Sequence, residues 1–273
     1  MKEMSNKSSK KSFNAETYWE DRLTKRYDLD GVGYTGLSRS YNQWLYRVRR
    51  HNFHRVASKY DLPDNPKVLD IGSGTGFYVD QWHERGAEHV TGIDITTAAV
   101  RGLRQKYPND TFAKHDISNP LPDSHQGPFD VISAMDVLFH IVDDKKYQSA
   151  LKNLYKVLSP SGYMLFTDNF LNRDAIKSKH IVHRELSTIR SSVKAAGFSI
   201  EERCPIFVLM NEPVDTESRL LRHYWSRLYR AASHSESVGY IVGAVLFPLE
   251  ITLARVLTES PTTEMMVCRK PIS

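Results

Sequence analysis

Cysteine is scarce: Cys204 and Cys268 are the only two in 273 residues, and they lie far apart. That excludes a disulfide-stapled scaffold and leaves two reduced, buried thiols as the expectation. Long apolar runs are also missing. The best candidate, VGYIVGAVLFPL at 238–249, reads as too short to span a bilayer, holds Pro248, and is followed by Glu250 and Arg255. No transmembrane helix is therefore expected. The first residues lack an apolar leader, so the expectation is a cytoplasmic location without a signal peptide. Excess charge is thin as well. The net charge is +5, but four lysines (Lys2, Lys7, Lys10, Lys11) against Glu3 put three of those charges in MKEMSNKSSKK, leaving the body near +2. A body so nearly balanced does not suit a dedicated nucleic-acid binder. Residues 1–13, rich in Ser, Asn and Lys, are expected to be disordered.

What is present is a regular alternation. Residues 14–59 hold eight aromatics, and positions 41, 44, 45, 48, 53 and 56 repeat at helical spacing, so residues 14–60 read as an aromatic helical lid. Strands follow at KVLDIG, HVTGID, TFAKHD, FDVISAM and GYMLFTD, separated by helices at GFYVDQWHERG, TTAAVRGLRQKYP and DKKYQSALKNLYKVL. A helix at STIRSSVKAAG precedes a sixth strand, FSIEERCPIF, and TTEMMVCRKP is a seventh. Strand–helix alternation with short connections means βαβ units, an α/β fold and a mainly parallel sheet. About 54 residues separate the last two strands, too many for a hairpin, and they read as a two-helix insertion at about 208–261. In its first helix, positions 220, 221, 224, 225 and 228 are apolar, which turns Arg219, Arg222 and Arg230 outward. Neither an internal repeat nor a flexible linker interrupts 61–273, which is read as one domain carrying that insertion.

The first strand ends in Asp70, and Gly72, Gly74 and Gly76 follow in VLDIGSGTGFY. Parallel sheets bind ligands beyond the carboxyl ends of their strands, and glycine there admits both positive φ and close backbone approach. The spacing is G-x-G-x-G, so Phe77 stands where a dinucleotide fingerprint needs its third glycine. Acids end or follow the first three strands: Asp70, then Asp94 and Asp116 at intervals of 24 and 22 residues. Asp94 is placed to accept ribose hydroxyls, Asp116 an adenine amino group, and Asp70 an ammonium. Such a set suits a nucleoside with cationic parts and repels a pyrophosphate.

These residues resemble the class I, Rossmann-like S-adenosylmethionine-dependent methyltransferases of small-molecule type. VLDIGSGTG is similar to the first motif of that family, GIDI to its ribose motif and KHDI to its adenine motif, while FDVISAMDVLFHI and LSPSGYMLFTDNF resemble its fourth- and fifth-strand motifs. The resemblance covers about 65–210 and a final strand at 262–271. It implies a doubly wound, mainly parallel seven-stranded sheet with an antiparallel last strand. It implies S-adenosyl-L-methionine as cofactor, held by Asp70, Gly72, Ser73, Gly74 and Gly76 around the methionine part, Asp94 and Ile95 at the ribose, Asp116 and Ile117 at the adenine, and Met135 alongside.

Methyl transfer from a sulfonium is an in-line displacement, and a hydroxyl acceptor benefits from a general base. His140 lies four residues after Asp136, which would put both on one helical face, and His140 is the candidate base; packing of the next segment is its other reading. Asp136 with Asp168 and Asn169 resembles the oxygen set that holds Mg²⁺ in catechol-type members, but the flanking LFHIVDD is closer to the metal-free ones, so no metal is expected. His180 and His183 form an HxxH pair without further ligands at metal spacing and read as surface residues. The chain contains neither an NPPY tetrapeptide nor a Pro-Cys motif, which turns the expectation away from nucleic-acid substrates. The acceptor is therefore expected to be a sugar, lipid-linked or secondary-metabolite molecule methylated on oxygen. Transfer to nitrogen or carbon, or a non-catalytic cofactor-binding role, are the alternatives. Tyr34, Tyr41 and Trp44 are candidate substrate-binding residues of the lid, with core packing equally open, and Asp168 and Asn169 are candidates in the cleft. The arginine-rich helix is either a solvated face or a peripheral contact with an anionic membrane or acidic substrate. The sequence carries no mark of oligomeric state.

Overall fold

The computed structural model describes residues 14–122 and 125–272. The expectation for residues 1–13 lies outside them.

Three helices come first: α1 (Ala15–Lys25), α2 (Leu29–Val32) and α3 (Arg39–Ala57). Each starts at a side-chain cap, with Asn14, Asp28 and Ser38 accepting from exposed amides of the first turn. Then β1 (Val68–Ile71), α4 (Phe77–His83), β2 (Val90–Asp94), α5 (Thr97–Lys106), β3 (Thr111–Lys114), β4 (Phe129–Ala134), α6 (Asp144–Val157) and β5 (Leu158–Asp168) alternate as the sequence pattern requires. A small hairpin, β6 (Ile176–Lys177) and β7 (Val182–His183), precedes α7 (Leu186–Ala195) and β8 (Ser199–Pro205). The helical pair α8 (Arg219–Ala232) and α9 (Glu236–Val256) leads into β9 (Glu264–Arg269). The two-residue strands of the hairpin carry too little periodicity to be seen in sequence.

The main sheet has seven strands in the order β3-β2-β1-β4-β5-β9-β8. Neighbours from β3 to β5 are parallel, whereas β9 enters antiparallel between β5 and β8. The fold is thus α/β, doubly wound and mainly parallel, with an antiparallel last strand. Apolar residues fill both faces. Val79 and Trp82 of α4 and Val100 and Leu103 of α5 pack with α3 and Trp225 of α8 on one side. Leu151 and Leu154 of α6 and Ile189 and Val193 of α7 pack on the other. Strand order reverses between β1 and β4, which opens a crevice at their carboxyl ends.

The second insertion helix is longer than its apolar run suggested. α9 extends over 21 residues, capped by Ser235, and by length and composition it could cross a membrane. The estimate of 238–249 as too short is corrected by the polar and charged residues at both ends that continue the helix. In α8 the arginines do face outward, but Leu220, grouped with the inward apolar positions, is 83% exposed.

Candidate functional site

The glycine turn between β1 and α4 is held in the left-handed region: φ is +67° at Gly72, +53° at Gly74 and +84° at Gly76. At Gly72 there is also no room, since a Cβ would stand 2.4 Å from Cγ2 of Val137. The amides of Gly72 and Ser73 both donate to the Ile93 carbonyl, 2.7 and 3.2 Å away, locking the turn to β2. Asp94 completes that lock. Its Oδ2 accepts from the Gly74 amide at 2.9 Å, and its Oδ1 from the amide and hydroxyl of Thr96 at 2.9 and 2.7 Å. Burial pushes its pKa above the ordinary carboxylate range. Asp116 is steadied by the amide and hydroxyl of Ser118, with Lys146 at 3.6 Å. Burial works to raise its pKa, but these partners prevail and hold it below the usual value.

A cavity of about 190 Å³ opens against this edge. Gly72, Ser73, Gly74, Asp94, Ile95, Asp116, Ile117, Met135, Asp136 and His140 all line it, so ten of the residues expected from sequence converge. Asp70 and Gly76 do not. Asp70 is 2% exposed beneath the turn, where its carboxylate accepts from the Ser133 hydroxyl, and burial pushes its pKa up to about 7. Its expected meeting with an ammonium is corrected: it braces β1 against β4. Gly76 is the left-handed cap of α4.

For Tyr34, Tyr41 and Trp44 the structure shows packing, the other reading left open. Tyr41 is fully buried and donates to the Met210 carbonyl at 2.9 Å. Trp44 packs on Tyr240 and Phe247 of α9, and Tyr34 donates to Glu212 beside Trp225 and Tyr229. None of the three lines the cavity. Its aromatic walls are Trp19, Tyr46, Phe77 and Tyr78. Tyr46 and Arg49, three apart on α3, share a face of the helix, and Arg49 is a charge set within the apolar arc between Phe53 and Val56, which was the available signal for it. The first two helices strap across the site: Glu20 accepts from the Thr97 and Ala98 amides at the start of α5, and the Tyr27 hydroxyl donates to the Gly74 carbonyl at 3.2 Å.

Asp136 and His140 both face the cavity but do not share a helix. Asp136 has φ +59°, and only Leu138–His140 forms a 3₁₀ turn. The Asp136 carboxylate is already engaged, accepting from Arg49 Nε and Nη2 at 3.1 and 2.9 Å and from the Thr167 hydroxyl at 2.9 Å. A charge neutralised in this way is a poor base, so the tentative catalytic part for Asp136 is corrected to positioning. His140 Nδ1 lies 3.0 Å from the His180 carbonyl, which can only accept, so Nδ1 carries the proton and Nε2 the lone pair. Nε2 makes no hydrogen bond among the described residues. Burial lowers the His140 pKa from 6.5 to about 4, which keeps the ring neutral. Asp168 and Asn169 are buried and absent from the cavity wall: Asp168 accepts from the Asn169 amide at 2.7 Å, and Asn169 Nδ2 is 2.9 Å from His183 Nδ1. Their expected place in the substrate cleft is corrected, and His180 and His183 are half-buried beside this site rather than at the surface. Among the described residues no three metal-capable side chains cluster.

The donor set fits the adenosyl sulfonium that the sequence implied. Asp94 and Asp116 offer acceptors at two separate strand ends, and the Thr75 hydroxyl in the cavity wall is buried without a hydrogen-bond partner among the described residues. A Cβ on Gly74 would meet nothing closer than 3.5 Å, so the missing side chain leaves open space above the turn.

Comparison with known proteins agrees. Residues 68–162 match the family described as a methyltransferase domain. Residues 68–162 therefore resemble a methyltransferase domain, and the fold around them is similar to that of Rossmann-like methyltransferases. It is 28% identical over 182 residues to a phosphoethanolamine N-methyltransferase of Plasmodium falciparum, covering 64% of this chain and 63% of that protein. It is 30% identical over 140 residues to a ubiquinone biosynthesis O-methyltransferase of Pectobacterium atrosepticum, covering 48% and 53% respectively. The matches thus span between half and two thirds of these relatives. Among solved structures it is similar in fold to the N-methyltransferase NodS of Bradyrhizobium japonicum bound to S-adenosyl-L-homocysteine, with a TM-score of 0.56, 13% identity and coverage of 95% and 100%. It is also similar to the [4+2]-cyclase SpnF, with a TM-score of 0.54, 19% identity and coverage of 82% and 81%.

Proposed function

We propose that this chain methylates an oxygen of a small, partly apolar acceptor. The observation that carries the reading is His140: a neutral imidazole in the wall of the cofactor cavity, its Nδ1 fixed by a carbonyl and its Nε2 left as an acceptor. When bound, the cofactor supplies an electrophilic methyl group. The chain's own residues orient the acceptor, exclude water and receive a proton. Trp19, Tyr46, Phe77 and Tyr78 give a flat apolar enclosure, and the Arg49–Asp136 pair presents no net charge. Trp19 meets the His140 ring edge-on at 5.2 Å and holds it in place.

A base with a pKa near 4 is weak, and base catalysis works best when the two proton affinities are close. His140 therefore suits an acidic, phenol-like hydroxyl better than a sugar alcohol. Resemblance to a ubiquinone biosynthesis O-methyltransferase supports transfer to oxygen. The similarity to a phosphoethanolamine N-methyltransferase supports nitrogen instead, but Asp136, a lining acid four residues before His140, is taken by Arg49 and is not free to receive an ammonium.

The test is incubation with methyl-labelled cofactor and a panel of phenols, sugars and amines, read by mass spectrometry. Labelled phenols, with His140→Ala lowering kcat while cofactor affinity is kept, support the proposal. Labelled amines alone, or cofactor binding with no acceptor labelled, overturn it. The sign of the pH dependence follows from the lowered pKa. The base is neutral above about 4 and is lost only as pH falls through that value, so the acid limb of kcat lies near 4 rather than 6.5.

A further inference from the structure

We propose that the outer faces of α8 and α9 dock on an anionic lipid bilayer, with α9 lying in the headgroup plane instead of crossing the membrane. This inference is independent of the acceptor. On α9 the exposed apolar residues are Ile241 (60%), Val245 (70%), Leu249 (49%) and Val256 (72%), spaced by four, four and seven, which places them on one side of the helix. Tyr240 extends that side, and Leu220 projects from α8. Only 22% of the most apolar 18-residue window of α9 is buried, so this is no core helix. At 1.5 Å per residue the exposed residues from Ile241 to Val256 form a stripe about 23 Å long, which isolated surface leucines or valines would not make.

The opposite face excludes a span. Gly239, Gly243, Glu250 and Ala254 are buried against the body. At Gly243 a Cβ would stand 2.3 Å from the Trp44 ring, so the glycine is what lets α9 lie directly on α3. Glu250 is fully buried and accepts from the amides of Val208, Leu209 and Met210 at 2.7, 2.8 and 3.3 Å. Moving α9 into a bilayer would strip that carboxylate of its donors and leave three amides unpaired.

Charge selects the surface. From Arg219 to Val256 there are five arginines (Arg219, Arg222, Arg227, Arg230, Arg255) and two glutamates. Glu250 is buried as described, and Glu236, exposed at the start of α9, accepts from the amides of Arg39 and Ser40. All five arginines are exposed, and none forms an ion pair among the described residues. Arg47, stacked over Trp44 at 4.1 Å, adds a sixth exposed cation beside α9. An apolar stripe bordered mainly by arginines matches the layering of an anionic membrane surface, where each cation and each inserted side chain adds to binding.

The test is flotation of the full chain with vesicles of phosphatidylcholine mixed with phosphatidylglycerol. The wild type is expected to float with mixed vesicles, to remain behind with pure phosphatidylcholine, and to be released by high salt. Val245→Asp is expected to weaken binding by about tenfold or more, and the Arg227→Glu/Arg230→Glu variant by a similar factor. Both should keep wild-type circular dichroism and affinity for S-adenosyl-L-homocysteine. The proposal is overturned if the wild type does not float with anionic vesicles or if Val245→Asp floats equally well. It is also overturned if light scattering shows a dimer that Val245→Asp dissociates, since the face then belongs to a second copy.

Discussion

The carboxyl edge of the sheet and the helices laid around it obey different rules. At the edge, backbone geometry chooses the residue: Gly72 combines φ +67° with a neighbour 2.4 Å from its missing Cβ, and Asp94 satisfies three donors at once. In the added helices any large apolar side chain can fill a core position, and the same aromatic can face a neighbouring helix or a ligand. The edge is therefore intolerant of substitution and readable, while the additions are tolerant and ambiguous.

The largest expected effect breaks the edge. Gly72→Val should destabilise the fold by about 3 kcal/mol or more, from a strained φ and a clash with Val137, and abolish cofactor binding. Denaturant melts and calorimetry check both. Next, Glu250→Ala should cost about 2–3 kcal/mol by orphaning the 208–210 amides, with cofactor affinity unchanged, since Glu250 is remote from the cavity wall. A loss of affinity equal to that of Gly72→Val would erase the distinction between the two regions.

A paired substitution sharpens the comparison within the aromatics. Trp44→Ala should lower stability by about 1–2 kcal/mol and leave KM for the acceptor unaltered, whereas Trp19→Ala should raise that KM with little change in melting temperature. The smallest effect concerns pH. Asp70, with its pKa raised to about 7 by burial, adds stability that is full below its unfolded value of 3.8 and lost as pH rises through 7. The melting temperature of the wild type should therefore decline between about pH 4 and pH 7, the interval between the unfolded and folded values, and Asp70→Asn should flatten the decline.

These contrasts explain what could be read in the sequence. The alternation, and with it the mainly parallel sheet, followed from the apolar pattern, and Gly72, Gly74, Asp94 and Asp116 from glycines and acids at fixed places on strands, where one residue type meets one physical demand; the remaining cavity residues came with the family resemblance and the search for a base. Tyr41 and Trp44 stayed ambiguous because helical spacing marks a buried side without saying what covers it: α9 covers Trp44, and the loop at Met210 covers Tyr41. Arg49 was missed because its partner Asp136 is 87 residues away, a pairing that only the folded sheet creates. Asp70 was misplaced since its strand position reveals a carboxylate but not the Ser133 hydroxyl that turns it inward.

The most direct measurement of the cofactor site is titration calorimetry with S-adenosyl-L-homocysteine on the wild type and on Asp94→Asn, with circular dichroism confirming both folds. One-site binding by the wild type, weakened about tenfold or more in the variant, is the expected result. A folded wild type that binds nothing, or a variant that binds as tightly as its parent, would contradict the assignment of the glycine turn and Asp94 to the adenosyl group.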